Sequence, residues 1–167
     1  MKKVAVAMSG GVDSAVAALL LQQSGHETVG VTMCLGVTPA EGGRAKCCGA
    51  REIEDAGSVC RALGIRHYVV DFAADLEAKV IEPFVAEYLR GRTPNPCVAC
   101  NGVLKFRVLL QRALALGADA LATGHYARTD GRSLRTAADP SKDQSYFLYP
   151  VRPEALARTL FPLGGMT

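Results

Sequence analysis

The residues that could do chemistry begin with Ser9-Gly10-Gly11-Val12-Asp13-Ser14, near the start of a 167-residue chain. Two glycines let backbone N–H groups converge on one point, and a helix starting just after them would aim the positive end of its dipole there. Ser9 and Ser14 add hydroxyl donors, while Asp13 can cap the helix or help hold Mg²⁺. Such a loop is an anion site, suited to a polyphosphate. It lacks the lysine of the G-x-x-x-x-G-K-[ST] phosphate loop and the spacing of G-x-G-x-x-G.

Cys97 and Cys100 form a C-x-x-C pair within Gly91–Asn101 (GRTPNPCVACN), whose prolines exclude a regular helix or a central strand. The pair is expected in a loop just before a helix that Asn101 caps. A helix N-terminus favours thiolate, and Lys105 and Arg107 follow within two turns. Either thiol could be a nucleophile, a carrier of persulfide sulfur or a metal ligand. The pair cannot close a four-ligand zinc site alone, and the adjacent Cys47-Cys48 are poorly spaced to complete one. Cys34 and Cys60 read as small core residues.

His125, in ATGHY, follows an apolar run and is expected to contact nucleotide or substrate. His26 and His67 read as surface or strand-edge residues. Ser141-Lys142-Asp143-Gln144-Ser145-Tyr146 gathers a cation, a carboxylate, an amide and an aromatic. That set can grip a phosphate backbone and a base edge, or simply form a capped, solvent-facing helix.

These residues need elements to place them. Val4–Met8 reads as a buried strand, followed by a helix with Val12, Val16, Leu19 and Leu20 on one face. Thr28–Leu35 and His67–Phe72 are further strands. Ala50–Leu63 is a helix with Ile53, Ala56, Val59, Cys60 and Leu63 inward, preceded by a polar loop at Thr38–Gly49. Asp75–Leu89 is helical, with Leu76, Val80, Phe84 and Leu89 inward and a bend or break at Pro83. A helix presenting Val103, Phe106, Leu110 and Ala113 ends at Gly117, and Asp119–Thr123 is a fourth strand. Tyr126–Thr129 and Ser133–Thr136 flank a hairpin turn at Asp130-Gly131. A short helix is expected through Tyr149, then an amphipathic piece over Pro153–Leu160.

Strands alternating with helices predict a three-layer α/β fold, a parallel sheet covered by helices on both faces. Ligands of such sheets bind outside the carboxyl ends of the strands, where the motifs would converge. The expected division is a nucleotide-binding domain over 1–136 and the start of a linker or RNA-contacting region over 137–167.

Hydrophobic residues make up 49% and charged residues 21% of the chain, the balance of a globular protein rather than a disordered one. Six cysteines in a chain of this length and pattern fit a reducing cytoplasm better than a disulfide-stapled secreted scaffold. No apolar run reaches membrane-spanning length, and the first strand begins too early for a signal peptide. Residues 1–89 carry 8 Lys/Arg against 11 Asp/Glu, whereas residues 90–167 carry 11 against 5. The basic second half suits a phosphate-rich partner.

SGGVDS resembles the pyrophosphate loop of the PP-loop ATPases, of the adenine nucleotide alpha hydrolase-like fold, which split ATP between its α and β phosphates. Together with GRTPNPCVACN, ATGHYAR and SKDQSYFLY, in that order, it makes the whole chain resemble the N-terminal part of the tRNA-specific 2-thiouridylases. The resemblance implies adenylation of the C2 carbonyl of a wobble uridine and its replacement by sulfur from a protein persulfide. ATP would be bound by Ala7, Met8, Ser9, Gly10, Gly11, Val12, Asp13 and Ser14, with Met33 and Gly124. Cys100 would be the nucleophile; Asn95, Pro96 and Cys97 would meet the target base; His125, Lys142, Asp143 and Gln144 would contact tRNA. Asp13 and Cys97 complete the expected catalytic set. Implied partners are tRNA, Mg²⁺ and a persulfide sulfur-relay donor. Many members have aspartate where this chain has Cys97, which leaves an iron–sulfur ligand pair of Cys97 and Cys100 conceivable. The family also continues into a second catalytic cysteine and further tRNA-gripping domains, so the chain is expected to be an N-terminal catalytic part. The alternatives are a nucleotide- and tRNA-binding module that does not complete sulfur transfer alone, or another PP-loop ATP pyrophosphatase.

Overall fold

The structure, a computed structural model, describes residues 1–36 and 49–167. The expected loop before Gly49, with Cys47 and Cys48, lies outside the described residues. Five parallel strands form the main sheet: β1 (Lys3–Ala7), β2 (Glu27–Cys34), β3 (Arg66–Asp71), β4 (Ala120–Ala122) and β7 (Thr159–Leu160), in spatial order β3-β2-β1-β4-β7. β5 (Arg128–Thr129) and β6 (Leu134–Arg135) form the expected hairpin, with Gly131 at φ 84° in its turn.

Side-chain alternation along β1 divides the core in two. Val4, Val6 and Met8 face α1 (Val12–Gln23) and α2 (Ala50–Ala62), packing with Ala17, Ala18, Ala56, Cys60 and Leu163. Ala5 faces the other way, with Val31, Met33, Phe72, Leu104, Leu109 and Leu121. Each fully buried leucine there contributes about 2 kcal/mol of transfer free energy. Helical cover on both faces gives the predicted three layers.

The chain departs from the sequence-based expectation in four places. α1 buries Ser14, Ala17, Ala18 and Leu21, while Val12 is 76% and Leu19 38% exposed. Small residues let α1 lie close on the sheet, so its inner face is not its most hydrophobic one. The stretch expected as a helix bent or broken at Pro83 runs as α3 (Ala73–Leu76), a wider π-helical stretch Glu77–Ile81, and α4 (Glu82–Leu89) with Pro83 near its start. Leu89, expected inward, is 80% exposed.

The cysteine pair is inside a helix rather than before one. α5 (Pro96–Ala99) continues through a π-helical stretch, Cys100–Leu109, into α6 (Leu110–Ala115). Finally, the piece expected as amphipathic helix is α7 (Pro153–Leu156) followed by β7, which pairs with β4. Arg112 locks α6 to the α3 end of the sheet: its guanidinium lies 4.3 Å from the centre of the Phe72 ring and donates to Asp71 O and Asp75 Oδ2, both at 2.8 Å.

Candidate functional site

β1 is hydrogen-bonded to β2 on one side and β4 on the other; the chain runs from β1 through β2 to β3 on one side and then crosses back to β4 on the other. The carboxyl end of β1 therefore opens at a topological switch, where α/β sheets bind ligands. Ser9-Gly10-Gly11 fills that position. Gly10 has φ 79°, and a Cβ on it would come within 2.6 Å of the Glu52 carbonyl oxygen on α2. Glycine is needed there both for its backbone and for the close approach.

No side chain among the described residues caps the start of α1, whose N-cap is Gly11. The first N–H groups of the helix thus remain available to an anion. Ser9, Gly11, Val12 and Asp13 are exposed around this point. Ser14 is buried, and its hydroxyl holds the loop shut. Ser14 Oγ donates to Gly11 O at 2.9 Å and accepts from Ser9 N at 3.2 Å. Its single proton being engaged, the 3.3 Å contact between the two hydroxyls is donated by Ser9 Oγ. Ala7 and Met33 pack at the core beneath; Met33 is 6% exposed, so its main chain is what it can offer a nucleotide.

Gly124, just beyond β4, closes the other wall. A Cβ there would lie 2.7 Å from the Asp13 carbonyl carbon and 2.8 Å from Ser14 N. His125 follows, its Nδ1 2.8 Å from Thr123 Oγ1 and its ring 6.0 Å from Phe106 and 6.4 Å from Phe161. Burial first, then the nearby Lys105 charge, push its pKa down to about 3. A neutral imidazole, not a cation, therefore stands beside the loop.

Phe106 belongs to the helix that carries the thiols. Asn95 caps that helix: its Oδ1 accepts from Cys97 N at 3.0 Å and Val98 N at 3.3 Å, with Pro96 at the first helical position. Asn101, expected as the cap, is instead a buried helical residue whose Nδ2 donates to Phe147 O at 3.1 Å. Cys97 is exposed on the first turn with Asn95 and Pro96; Cys100 is half-buried and packs against the same core as Ala7.

The Asn101–Phe147 bond brings Ser141–Tyr149 against the thiol helix, and Pro150 Cγ lies 3.0 Å from where a Gly102 Cβ would be. Gln144 is tied to Tyr126 in both directions: Gln144 Oε1 accepts from Tyr126 N at 3.0 Å, and Gln144 N donates to Tyr126 O at 2.9 Å. Asp143 Oδ1 accepts from Ala137 N at 2.7 Å and Oδ2 from Ser145 Oγ at 2.7 Å. Burial raises the Asp143 pKa, but these hydrogen bonds outweigh it and hold the group below its ordinary value. Both side chains organise the segment, while Lys142 is exposed. Tyr146 and Tyr149 are 64% and 67% exposed, with rings 6.1 Å apart, an aromatic pair that the sequence signalled only as part of a longer motif.

Asp13 stands where a carboxylate could share Mg²⁺ with a phosphate on the loop. Among the described residues, no group of three or more His, Cys, Asp or Glu is placed to hold a metal by itself. No helix among them is long and apolar enough to cross a membrane.

The family model described as the tRNA methyl transferase HUP domain matches residues 2–167. A tRNA-specific 2-thiouridylase MnmA 1 of Syntrophus aciditrophicus is 55% identical over 170 residues, covering 99% of this chain and 45% of that protein. The tRNA-specific 2-thiouridylase MnmA of Geotalea uraniireducens is 53% identical over 176 residues, covering 99% and 47%. The chain spans about half the length of the curated relatives it matches. Among solved structures, a predicted subunit of tRNA methyltransferase from Methanocaldococcus jannaschii matches all of this chain and 70% of its own, at TM-score 0.58 and 20% identity. That likeness speaks for the fold alone.

Proposed function

The chain belongs to the tRNA methyl transferase HUP-domain family, and from that premise we propose that it is the ATP-using module of a tRNA-specific 2-thiouridylase. The observation that carries this reading is the uncapped start of α1 at the sheet's switch point, walled by Gly124. A second support is its link to the thiol helix, through the ring contact between His125 and Phe106. The family's label names methyl transfer, yet the relatives near half identity are named thiouridylases. A polyphosphate loop with a cysteine pair fits sulfur chemistry better than methyl transfer.

The amide-like C2 carbonyl of uridine resists substitution until its oxygen becomes a leaving group. In the proposed reaction that oxygen attacks the α-phosphorus of ATP and pyrophosphate leaves. The outer sulfur of a cysteine persulfide then attacks C2, and AMP departs with the original oxygen. A second cysteine thiolate attacks the inner sulfur, breaking the S–S bond, so that sulfur stays on C2 and the two cysteines are left as a disulfide. The N–H groups at the start of α1 would stabilise charge on the leaving pyrophosphate; Asp13 would help hold Mg²⁺, which when bound would supply further neutralisation of phosphate charge. Neutral His125 excludes water and keeps extra positive charge away from the thiol helix. Cys100 is the proposed nucleophile that cleaves the persulfide S–S bond, or else the persulfide carrier, while Asn95, Pro96 and exposed Cys97 face the target base.

Lys142 and the basic second half of the chain would meet tRNA phosphates, with Asp143 and Gln144 shaping the segment that does so. The stretch from 137 onward is the proposed tRNA-contacting edge. A persulfide sulfur-relay protein is the proposed donor. An iron–sulfur arrangement on Cys97 and Cys100 would need ligands from elsewhere. Because the relatives are about twice as long, completing sulfur transfer is proposed to need more than these residues.

The test is ATP turnover with tRNA. Pyrophosphate release stimulated by tRNA and abolished by Asp13→Ala is expected. Release that ignores tRNA, or modification of tRNA that requires S-adenosylmethionine rather than ATP, would overturn the proposal.

A further inference from the structure

His67 lies on β3, the edge strand, as expected, and from there its side chain reaches a buried hydroxyl one strand in. Its Nε2 is 2.8 Å from Oγ1 of Thr32, a residue with no exposed surface. Thr32 Oγ1 in turn lies 3.0 Å from the carbonyl oxygen of Met8, the last residue before the phosphate loop. Met8 N donates to Val31 O at 2.8 Å, the final rung between β1 and β2. Beyond that rung the chain turns away from the sheet, and the Met8 carbonyl is held by a side chain.

The direction of each bond follows from counting protons. A carbonyl only accepts, so the single Thr32 proton goes to Met8 O. Thr32 Oγ1 must then accept from His67, which fixes the imidazole as the Nε2–H form. The opposite face of the ring agrees. Nδ1 lies against α2 at Gly57, where a Cβ would come within 3.3 Å of it and 3.5 Å of the Arg61 guanidinium. A cation there disfavours a proton on Nδ1, and burial together with Arg61 lowers the pKa of His67. Were Nε2 unprotonated, it would compete with Met8 for the hydroxyl proton and release the carbonyl.

We infer that His67 is a positioning residue for the phosphate loop. Acting through Thr32, it fixes the Met8 carbonyl and so the direction in which Ser9-Gly10-Gly11 leaves the sheet. The inference rests on the ATP-binding reading of that loop. His67 touches neither nucleotide nor reacting atoms; it narrows the orientations open to the one group that does the holding.

The experiment measures ATP affinity and tRNA affinity of the same protein samples by titration calorimetry, with melting temperature alongside. Thr32→Val and His67→Leu are each expected to weaken ATP binding roughly five- to tenfold, the worth of one hydrogen bond, with tRNA affinity unchanged. Thr32→Ser and His67→Gln, which keep the hydroxyl and a donor, are expected to stay within about twofold of the parent, and the double variant Thr32→Val/His67→Leu to bind no more weakly than Thr32→Val alone. Unchanged ATP affinity in His67→Leu overturns the inference, as do losses that multiply in the double variant. So does a lowered melting temperature with ATP affinity intact, since that is the mark of core packing only. Should Thr32→Val not fold, the His67→Leu and His67→Gln pair decides alone. If the unsubstituted protein binds no ATP, the functional reading fails first, and that outcome is distinct from all of these.

Discussion

Gly124 and Asp13 are packed so closely that a single added carbon at position 124 would stand 2.7 Å from the Asp13 carbonyl carbon. The contact is to main chain, which cannot swing aside as a side chain could. The end of β4 therefore sets how closely the first turn of α1 can approach the sheet.

Gly124→Ala is accordingly expected to push α1 outward and spoil the anion site. Stability should fall by about 1–3 kcal/mol, the usual cost of overpacking. ATP affinity should fall by more than that loss accounts for at temperatures where the variant is fully folded. Melting curves with and without ATP check both parts.

Asn95 fastens the first turn of the thiol helix through Cys97 N and Val98 N. Asn95→Ala should cost about 1 kcal/mol, whereas Asn95→Asp or Asn95→Ser should retain most of the cap. Frayed in this way, the turn should hold Cys97 less firmly. Chemical denaturation gives the first quantity. The rate of Cys97 alkylation, compared between Asn95→Ala and Asn95→Ser, gives the second.

His125 predicts a dependence of stability on pH. Its folded pKa, about 3, is below the ordinary histidine value of 6.5, so between these two pH values the unfolded chain binds the extra proton. Stability therefore rises with pH through that window; it is complete above pH 6.5 and is lost as the solution is acidified. One pH unit below the unfolded value the loss from this residue is about 1 kcal/mol. His67 is shifted in the same direction and adds to the trend. Melting temperatures at pH 7.5 and 5.5 should differ less in His125→Gln than in the parent.

Much of this arrangement was legible in the sequence because it depends on local chemistry. The run Val4–Met8 followed by Ser9-Gly10-Gly11 specifies strand, turn and helix start without outside help, and the parallel sheet follows from the alternation of elements. What sequence reasoning missed depends on neighbours. The buried face of α1 is made of alanines and Ser14 because the sheet beneath leaves little room, and no count of hydrophobic residues would select it. Asn95-Pro96 is a cap followed by a favoured first residue, but with Pro94 only two residues before Pro96 the pair of prolines pointed to a loop. Thr159–Leu160 is two residues long and is a strand only because β4 is there to pair with it. His67 does lie on the edge strand β3, as expected, but its bond to Thr32 was not legible because the two are separated by 35 positions.

β7 also has a practical consequence. Leu121 N donates to Arg158 O and Thr123 N to Leu160 O, while Leu163 fills the layer beneath α1 and Ala138 N donates to Gly164 O. Anyone trimming the polypeptide at residue 136 to obtain a minimal nucleotide binder would bare the flank of β4. An uncovered row of amide and carbonyl groups would then invite pairing with other molecules. Recombinant boundaries drawn after the ATGHY turn should yield aggregates, whereas those retaining the final thirty or so residues should stay dispersed.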